Sequence, residues 1–449
     1  MSEQDNSGIS TGAAAQDATA APDLDLEPDI NQLQLGYIPL TDCAPLVIAQ
    51  EKGFFSACGL DVSLVRESSW ANIRDKVAVG ALDGAHMLAG TPLAVELGIS
   101  PVKEAMQTSF SMDLNGNGIT VSLPLLDRLL EQAPDLLEQR PVSAAALARV
   151  AAANRERGLA PLRFAMVSRY SRHNYELRYW LAAAGVHPDR DVDIIVVPPP
   201  AMVDMLESGR IDGFCVGEPW NSVAVRRGVG STLISSYEIW NNGPEKIFGV
   251  TRRWAERHPN SYRLLIAALL GAARWLDDAA NRGEAAAILA GPSYLNMSRD
   301  ALAGSLGGRY TPAPGIAPVT VPDFNVFHRY AANFPWRSHA AWFVLQMYRW
   351  GQIEDSVNIR SVAEAVYRPE EFREAAAALG VAYPLIDYKT EGRNVGSWTL
   401  DRCSQPIELG PDRFFDGTEY DPDQLVAYLA AQDVHSMKVS LSEISMQNP

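Results

Sequence analysis

VAVGALDGAHM (residues 77–87) and MLESGRIDGFCV (205–216) share one grammar, G-x-[Leu/Ile]-Asp-Gly ahead of a short apolar run. Each residue type has a physical reason: a helix stops at the first glycine, the aspartate hydrogen-bonds within a turn, and glycine tolerates positive φ before a buried strand. The pattern upstream repeats as well. LQLGYIPL (33–40) is strand-like and leads through TDCAP into the helical LVIAQEKGFF, while LRFAMVS (162–168) leads through RYSRHNY into ELRYWLAAAGV. Helical segments between successive strands predict an α/β chain of two lobes, with mostly parallel sheets and a cleft between them.

A chain of 449 residues is long for one compact domain, which agrees with two lobes. We expect an acidic disordered tail over 1–30, a first lobe from 31–122 plus 237–449 with a helical C-terminal part, and a second lobe over 123–236. The crossings are expected near 119–125 and 225–237. NFPWRSHAAWFVLQMYRWGQI (333–353) reads as an aromatic-rich helix packed on a lobe.

Lys+Arg 38 against Asp+Glu 54 leaves a net charge of −16, which disfavours direct binding to phosphate backbones. A local pocket can still accept a small anion. The four cysteines (Cys43, Cys58, Cys215, Cys403) have no C-x-x-C pairing, so neither a zinc site nor a disulfide framework is expected. The first thirty residues carry seven acids, no Lys or Arg and no apolar run of the kind a secretory signal needs, and the longest apolar run, LLIAALLGAA, is ten residues. The expectation is a cytoplasmic protein with no membrane segment.

In open α/β sheets ligands gather beyond the carboxyl ends of the strands. That rule brings TDCAP, SSWAN, LNGNG, SRHNY, GEPWN and NNGPEK to one cleft. They offer mainly donors: the Trp70 indole, the His173 imidazole, the Lys246 ammonium, and backbone N–H groups of the flexible Asn115-Gly116-Asn117-Gly118 turn. A helix beginning after Ser69 adds unpaired N–H groups and a positive dipole end. Each residue also has a plainer reading: Trp70 as a cap over an apolar patch, His173 as a loop histidine, Lys246 as a solvated lysine. Asp42 and Cys43 read as turn-shaping residues, and His86 as a core histidine of the Asp-Gly scaffold. There is no G-x-S-x-G elbow, no G-x-x-x-x-G-K-[ST] loop, no G-x-G-x-x-G and no H-E-x-x-H, so neither catalysis, a cofactor nor a metal is expected.

The blocks GYIPLTDCAPLVIAQEKGFF, SWANIRDKVAVGALDGAHML, RHNYELRYWLAAAGV, CVGEPWN, PEKIFGV and FPWRSHAAWFVLQMYRWGQ resemble the nitrate- and bicarbonate-binding proteins of the NrtA/CmpA type, related to solute-binding subunits of ABC importers. The resemblance implies a two-lobed, periplasmic-binding-protein-like (Venus flytrap, type II) fold, with nitrate oxygens met by positions matching Trp70, His173 and Lys246. It further implies a preference. Bicarbonate binders tend to carry Glu at the Lys246 position, because bicarbonate has an O–H that needs an acceptor and nitrate has none. One departure is that nitrate binders of the family carry N-G-Q where this chain has Asn117-Gly118-Ile119.

With no secretory leader read, the resemblance extends to cytoplasmic nitrate/nitrite sensors of the NasS type. These hold an RNA-binding antiterminator response regulator of the NasT type and release it when the anion binds. The alternatives are a substrate-binding subunit of a nitrate or bicarbonate importer, and a thiamine-pyrimidine synthase-like enzyme on the same fold.

Overall fold

The computed structural model describes residues 25–448. Both Asp-Gly turns do the same work in it. Gln34 N–H donates to Asp83 Oδ2 at 2.8 Å and Asp83 N–H donates to Gln34 O at 2.9 Å. In the second copy Arg163 N–H donates to Asp212 Oδ2 and Asp212 N–H to Arg163 O, both at 2.7 Å. The aspartates therefore bond across to the neighbouring strand instead of within their own turn, and that bond sets the register of strand against strand. The glycines that stop the helices, Gly80 and Gly209, have φ of +74° and +67°. The glycines after aspartate serve packing, since a Cβ on Gly84 would lie 2.6 Å from the Phe248 ring and one on Gly213 2.6 Å from the Phe164 ring.

Two five-stranded sheets result. The first runs Asp61–Arg66, Gln32–Tyr37, Gly84–Leu88, Lys246–Thr251, Met106–Ser111; the second runs Gly230–Ser235, Asn117–Ser122, Gly213–Gly217, Leu162–Met166, Val192–Val196. Within each sheet four strands share one direction and a single strand is reversed: Lys246–Thr251 in the first, Asn117–Ser122 in the second. The reversed strands are the ones the chain enters on crossing from the other lobe. This geometry has a direct consequence for function. Where parallel strands present their carboxyl ends to the cleft, a reversed strand presents its first residue, and those first residues are Lys246 and Asn117.

The first crossing lies earlier than expected, while the return overlaps the expected 225–237 and its boundary at 236/237. Asn117–Ser122 pairs in the second sheet, so the first crossing falls between residues 111 and 117, and the return falls between 235 and 246. An apolar alternating run has the same pattern in either sheet, so sequence periodicity cannot say which sheet it joins.

The aromatic-rich helix Arg337–Arg349 packs on both lobes. Trp342 meets the Tyr175 ring of the second lobe at 6.3 Å, and Met347 lies against Gly90 of the first. Around it, Tyr170 OH donates to Ile99 O at 2.7 Å and Gln352 Nε2 donates to Arg169 O at 2.9 Å. The C-terminal region thus ties the lobes together.

The acidic tail expected over 1–30 lies outside the described residues as far as residue 24. Its last part has a structural role: Asp29 Oδ2 accepts the N–H of Asn260 at 2.8 Å, at the start of helix Pro259–Asp277. That helix holds the LLIAALLGAA run, buried against Phe54 and its neighbours. Among the described residues no helix is long and apolar enough to cross a membrane.

Candidate functional site

Between the lobes, backbone contacts close the cleft: Thr41 N–H donates to Glu218 O at 2.8 Å, and Glu218 N–H donates to Gly116 O at 3.0 Å. Five structural ends converge there. The turn Thr41–Cys43 supplies Asp42, the helix Trp70–Ala78 supplies Trp70 as its first residue, the helix Arg172–Ala182 supplies Arg172 and His173, and the reversed strands supply Asn117 and Lys246. Both helices start at a serine N-cap, Ser69 accepting from Asn72 N–H and Ser171 from Asn174 N–H, each at 3.2 Å.

Lys246 is fully buried, and its ammonium is not free. Nζ lies 2.7 Å from Asp42 Oδ2 and also contacts Glu245 Oε1. The Trp70 ring lies 5.5 Å from Nζ and meets the His86 ring edge-on at 5.1 Å. His86 Nε2 lies 2.9 Å from Asp42 Oδ1. On the other side of Glu245, Oε2 accepts from Asn117 Nδ2 at 2.8 Å and lies 4.0 Å from Arg172 Nε, while His173 Nε2 stands 3.5 Å from Oε1. Arg172 also pairs with Glu176 at 2.6 Å. Gly217 borders the same space, because a Cβ there would sit 3.3 Å from Asp42 Oδ2, 3.4 Å from Asn117 Oδ1 and 3.7 Å from His173 Nε2.

Burial and pairing together set the charges. Burial acts to raise the Asp42 carboxyl, but Lys246 and His86 outweigh it and hold it well below the usual carboxylate range. Glu245 is likewise held low against its burial by Lys246, His173 and Arg172. Burial acts to lower Lys246, and Asp42 and Glu245 raise it instead. Burial keeps both imidazoles neutral, with His173 pushed down to about 3 and His86 also lowered. Burial raises Glu176 to about 7, against the opposing pull of Arg172, and raises Glu218 to about 7. Asp113, buried beside Asp42, is pushed well above its ordinary value. Two cations therefore face two firmly ionised carboxylates. Several polar groups remain unmatched: the Trp70 indole N–H and both ring nitrogens of His173, one a donor and one an acceptor in the neutral imidazole, are buried without a hydrogen-bond partner. An unpaired buried donor costs about 1–3 kcal/mol, so such groups point to a ligand.

Of the residues singled out from sequence, Trp70, His173, Lys246 and Asn117 come together. Ser69 and Gly118 do not join them. Ser69 is half-buried and its hydroxyl caps its helix. Gly118 sits inside the sheet between Val216 and Ser235 and faces Asn221 and Thr232, because alternate residues of a strand face opposite sides. Of the turn expected over Asn115–Gly118, Asn115 and Gly116 do turn, with φ of 65° and 88°, while Asn117 and Gly118 already belong to the paired strand, and Asn117 N–H goes to Ser236 Oγ at 3.1 Å.

His86 departs from its reading as scaffold only, since it orients Asp42 against Lys246. Lys246, whose plainer reading was a solvated lysine, is fully buried and already meets two carboxylates. Sequence reasoning missed Glu245, Arg172, Glu176 and Gly217. Their signals were adjacency to Lys246 and His173, and the i,i+4 spacing of Arg172 and Glu176. Among the described residues no group of His, Cys, Asp and Glu could hold a metal ion.

This fold is that of the two-lobed, periplasmic-binding-protein-like proteins. The family model described as "NMT1-like family" matches residues 27–290, and the chain belongs to that family, within its nitrate- and bicarbonate-binding group. The nitrate import ATP-binding protein NrtC of Synechocystis sp. is 37% identical over 94% of this chain, but the match covers 58% of NrtC. The chain thus spans little more than half the length of that relative. The nitrate/nitrite binding protein NrtA of Synechococcus elongatus is 32% identical over 95% of this chain and 91% of its own length. The crystal structure of the periplasmic nitrate-binding protein NrtA from Synechocystis PCC 6803 matches with a TM-score of 0.79 at 29% identity, covering 91% of this chain and 100% of that one.

Proposed function

We propose that this protein binds nitrate or nitrite between its lobes, and that it does so as a cytoplasmic sensor. In this reading it holds an RNA-binding antiterminator response regulator and releases it on anion binding, so regulating nitrate assimilation. The observation that carries the binding is the buried donor set of Lys246, Trp70, His173 and Asn117 at the lobe junction. A planar oxyanion with no proton of its own suits donors more than acceptors. The relatives named for nitrate binding support the ligand class.

Three features support the sensor. Cys43, Cys58, Cys215 and Cys403 are free thiols, as a reducing compartment favours. The acidic surface suits a basic protein partner. A closed cleft whose lobes meet at the site is a two-state element that an anion can bias, provided it binds one state more tightly by the coupling energy, typically about 1–3 kcal/mol.

A second reading, the substrate-binding component of an importer, draws support from the relative named as a nitrate import protein. Thermal unfolding tests the ligand: nitrate raises the melting temperature, sulfate does not, and Lys246→Glu abolishes the shift. Co-purification with a small RNA-binding response regulator, dissociated by nitrate, tests the sensor. A complex indifferent to nitrate and nitrite would leave the importer reading standing.

A further inference from the structure

The carboxylate of Glu245 is arranged like a ligand. It is planar, fully buried, and surrounded by the donors assigned above to the anion: Lys246 Nζ and His173 Nε2 on Oε1, Asn117 Nδ2 and Arg172 Nε on Oε2. These donors come from both lobes, so this one side chain bridges the junction from within. We propose that Glu245 is an internal stand-in for the oxyanion, and that a planar monoanion enters this seat as the Glu245 carboxylate takes up one proton from solvent. The inference rests on the anion-binding reading above and adds to it a competitor and a proton.

Charge balance is the physical reason. Lys246 and Arg172 are already matched by Asp42, Glu245 and Glu176, so a further anion would bring an uncompensated buried charge, at a cost of several kcal/mol. One proton removes that cost. Placed on Glu245, it frees Lys246 and the Asn117 amide from an ionised carboxylate and leaves an O–H that can donate to the incoming anion.

The groups facing Glu245 are Lys246, Asp42, Asp113 and His86 from the first lobe, and Arg172, His173, Glu176 and Cys215 from the second. Burial holds both imidazoles towards the neutral form, with His173 pushed down to about 3 and clear of any pH response between 6 and 8, and it pushes the Asp113 carboxyl well above its ordinary value. Asp42 is held ionised. Glu176, raised by burial to about 7, is a rival seat for the proton, as are Glu218, also raised to about 7, and Asp113.

The test is calorimetry on the full chain with nitrate, nitrite, bicarbonate and formate, in two buffers of different ionisation enthalpy, for wild type and Glu245→Gln. Wild type is expected to take up about one proton per anion, with affinity falling about tenfold per pH unit between pH 6 and 8. Glu245→Gln, neutral and nearly isosteric, is expected to bind more tightly at pH 7.5 by about tenfold or more, with neither proton uptake nor pH dependence. Anion binding by wild type without proton uptake overturns the inference and needs no variant. So does unchanged proton uptake in Glu245→Gln, which would place the proton on another carboxyl of the cleft, Glu176, Glu218 or Asp113. Binding by Glu245→Gln alone would support the stand-in while refuting native anion binding. If neither form binds any of the four anions while circular dichroism shows both folded, stand-in and proposed function fall together.

Discussion

Replacing Lys246 by methionine removes the one ammonium that Asp42 and Glu245 share, in a site where all three side chains are almost wholly buried. Breaking a buried ion pair from one side typically costs about 3–5 kcal/mol. The linkage arithmetic gives the same size. Without the cation, burial lifts at least one carboxyl above its ordinary value of 4.5 or 3.8. If the folded state then keeps one proton over about three pH units that the unfolded state has lost, the penalty is about 4 kcal/mol near pH 7.5.

The sign differs between the two proteins. In wild type the carboxylates are depressed, so their stabilisation is present above the ordinary values and is lost as pH falls through the depressed ones. In Lys246→Met the folded value is raised, so the penalty appears above about pH 4.5 and grows towards neutrality. Urea unfolding of both proteins at pH 5 and pH 7.5, without added anion, reads the difference. The gap is expected to be wider by about 3 kcal/mol at pH 7.5 than at pH 5, and Asp42→Asn in the Lys246→Met background should recover part of it. Equal stability at pH 7.5, or a gap that widens on acidification, would refute the reasoning.

Two further changes separate binding from folding. Trp70→Phe removes an indole N–H that has no partner in the protein, so nitrate affinity is expected to fall about five- to tenfold in titration calorimetry, and unchanged affinity would take Trp70 out of the site. Gly213→Ala places a methyl 2.6 Å from the Phe164 ring and 2.9 Å from Thr120 O, so urea unfolding should report a loss of about 1–3 kcal/mol; no loss would mean the strand has room that the packing denies.

The repeated Gly-x-[Leu/Ile]-Asp-Gly made two α/β lobes legible, because its first glycine meets a local demand, a positive φ where a helix ends. The loop rule for α/β sheets likewise gathered Trp70, His173 and Lys246 without any coordinates. Other features depended on distant partners. The alternating run at 117–122 has one hydrophobic pattern whichever sheet it joins, and only the pairing with Gly213–Gly217 and Gly230–Ser235 put it in the second lobe, turning Gly118 inward and Asn117 towards the cleft. His86 and Asp42, read as scaffold and turn, acquired their roles by meeting Lys246 across the first sheet. Local chemistry along the chain determined the lobes and the inventory of donors. Only the tertiary structure decided which charges share a low-dielectric space, and hence that Lys246 faces two carboxylates, because burial and ion pairing are set by neighbours remote in sequence.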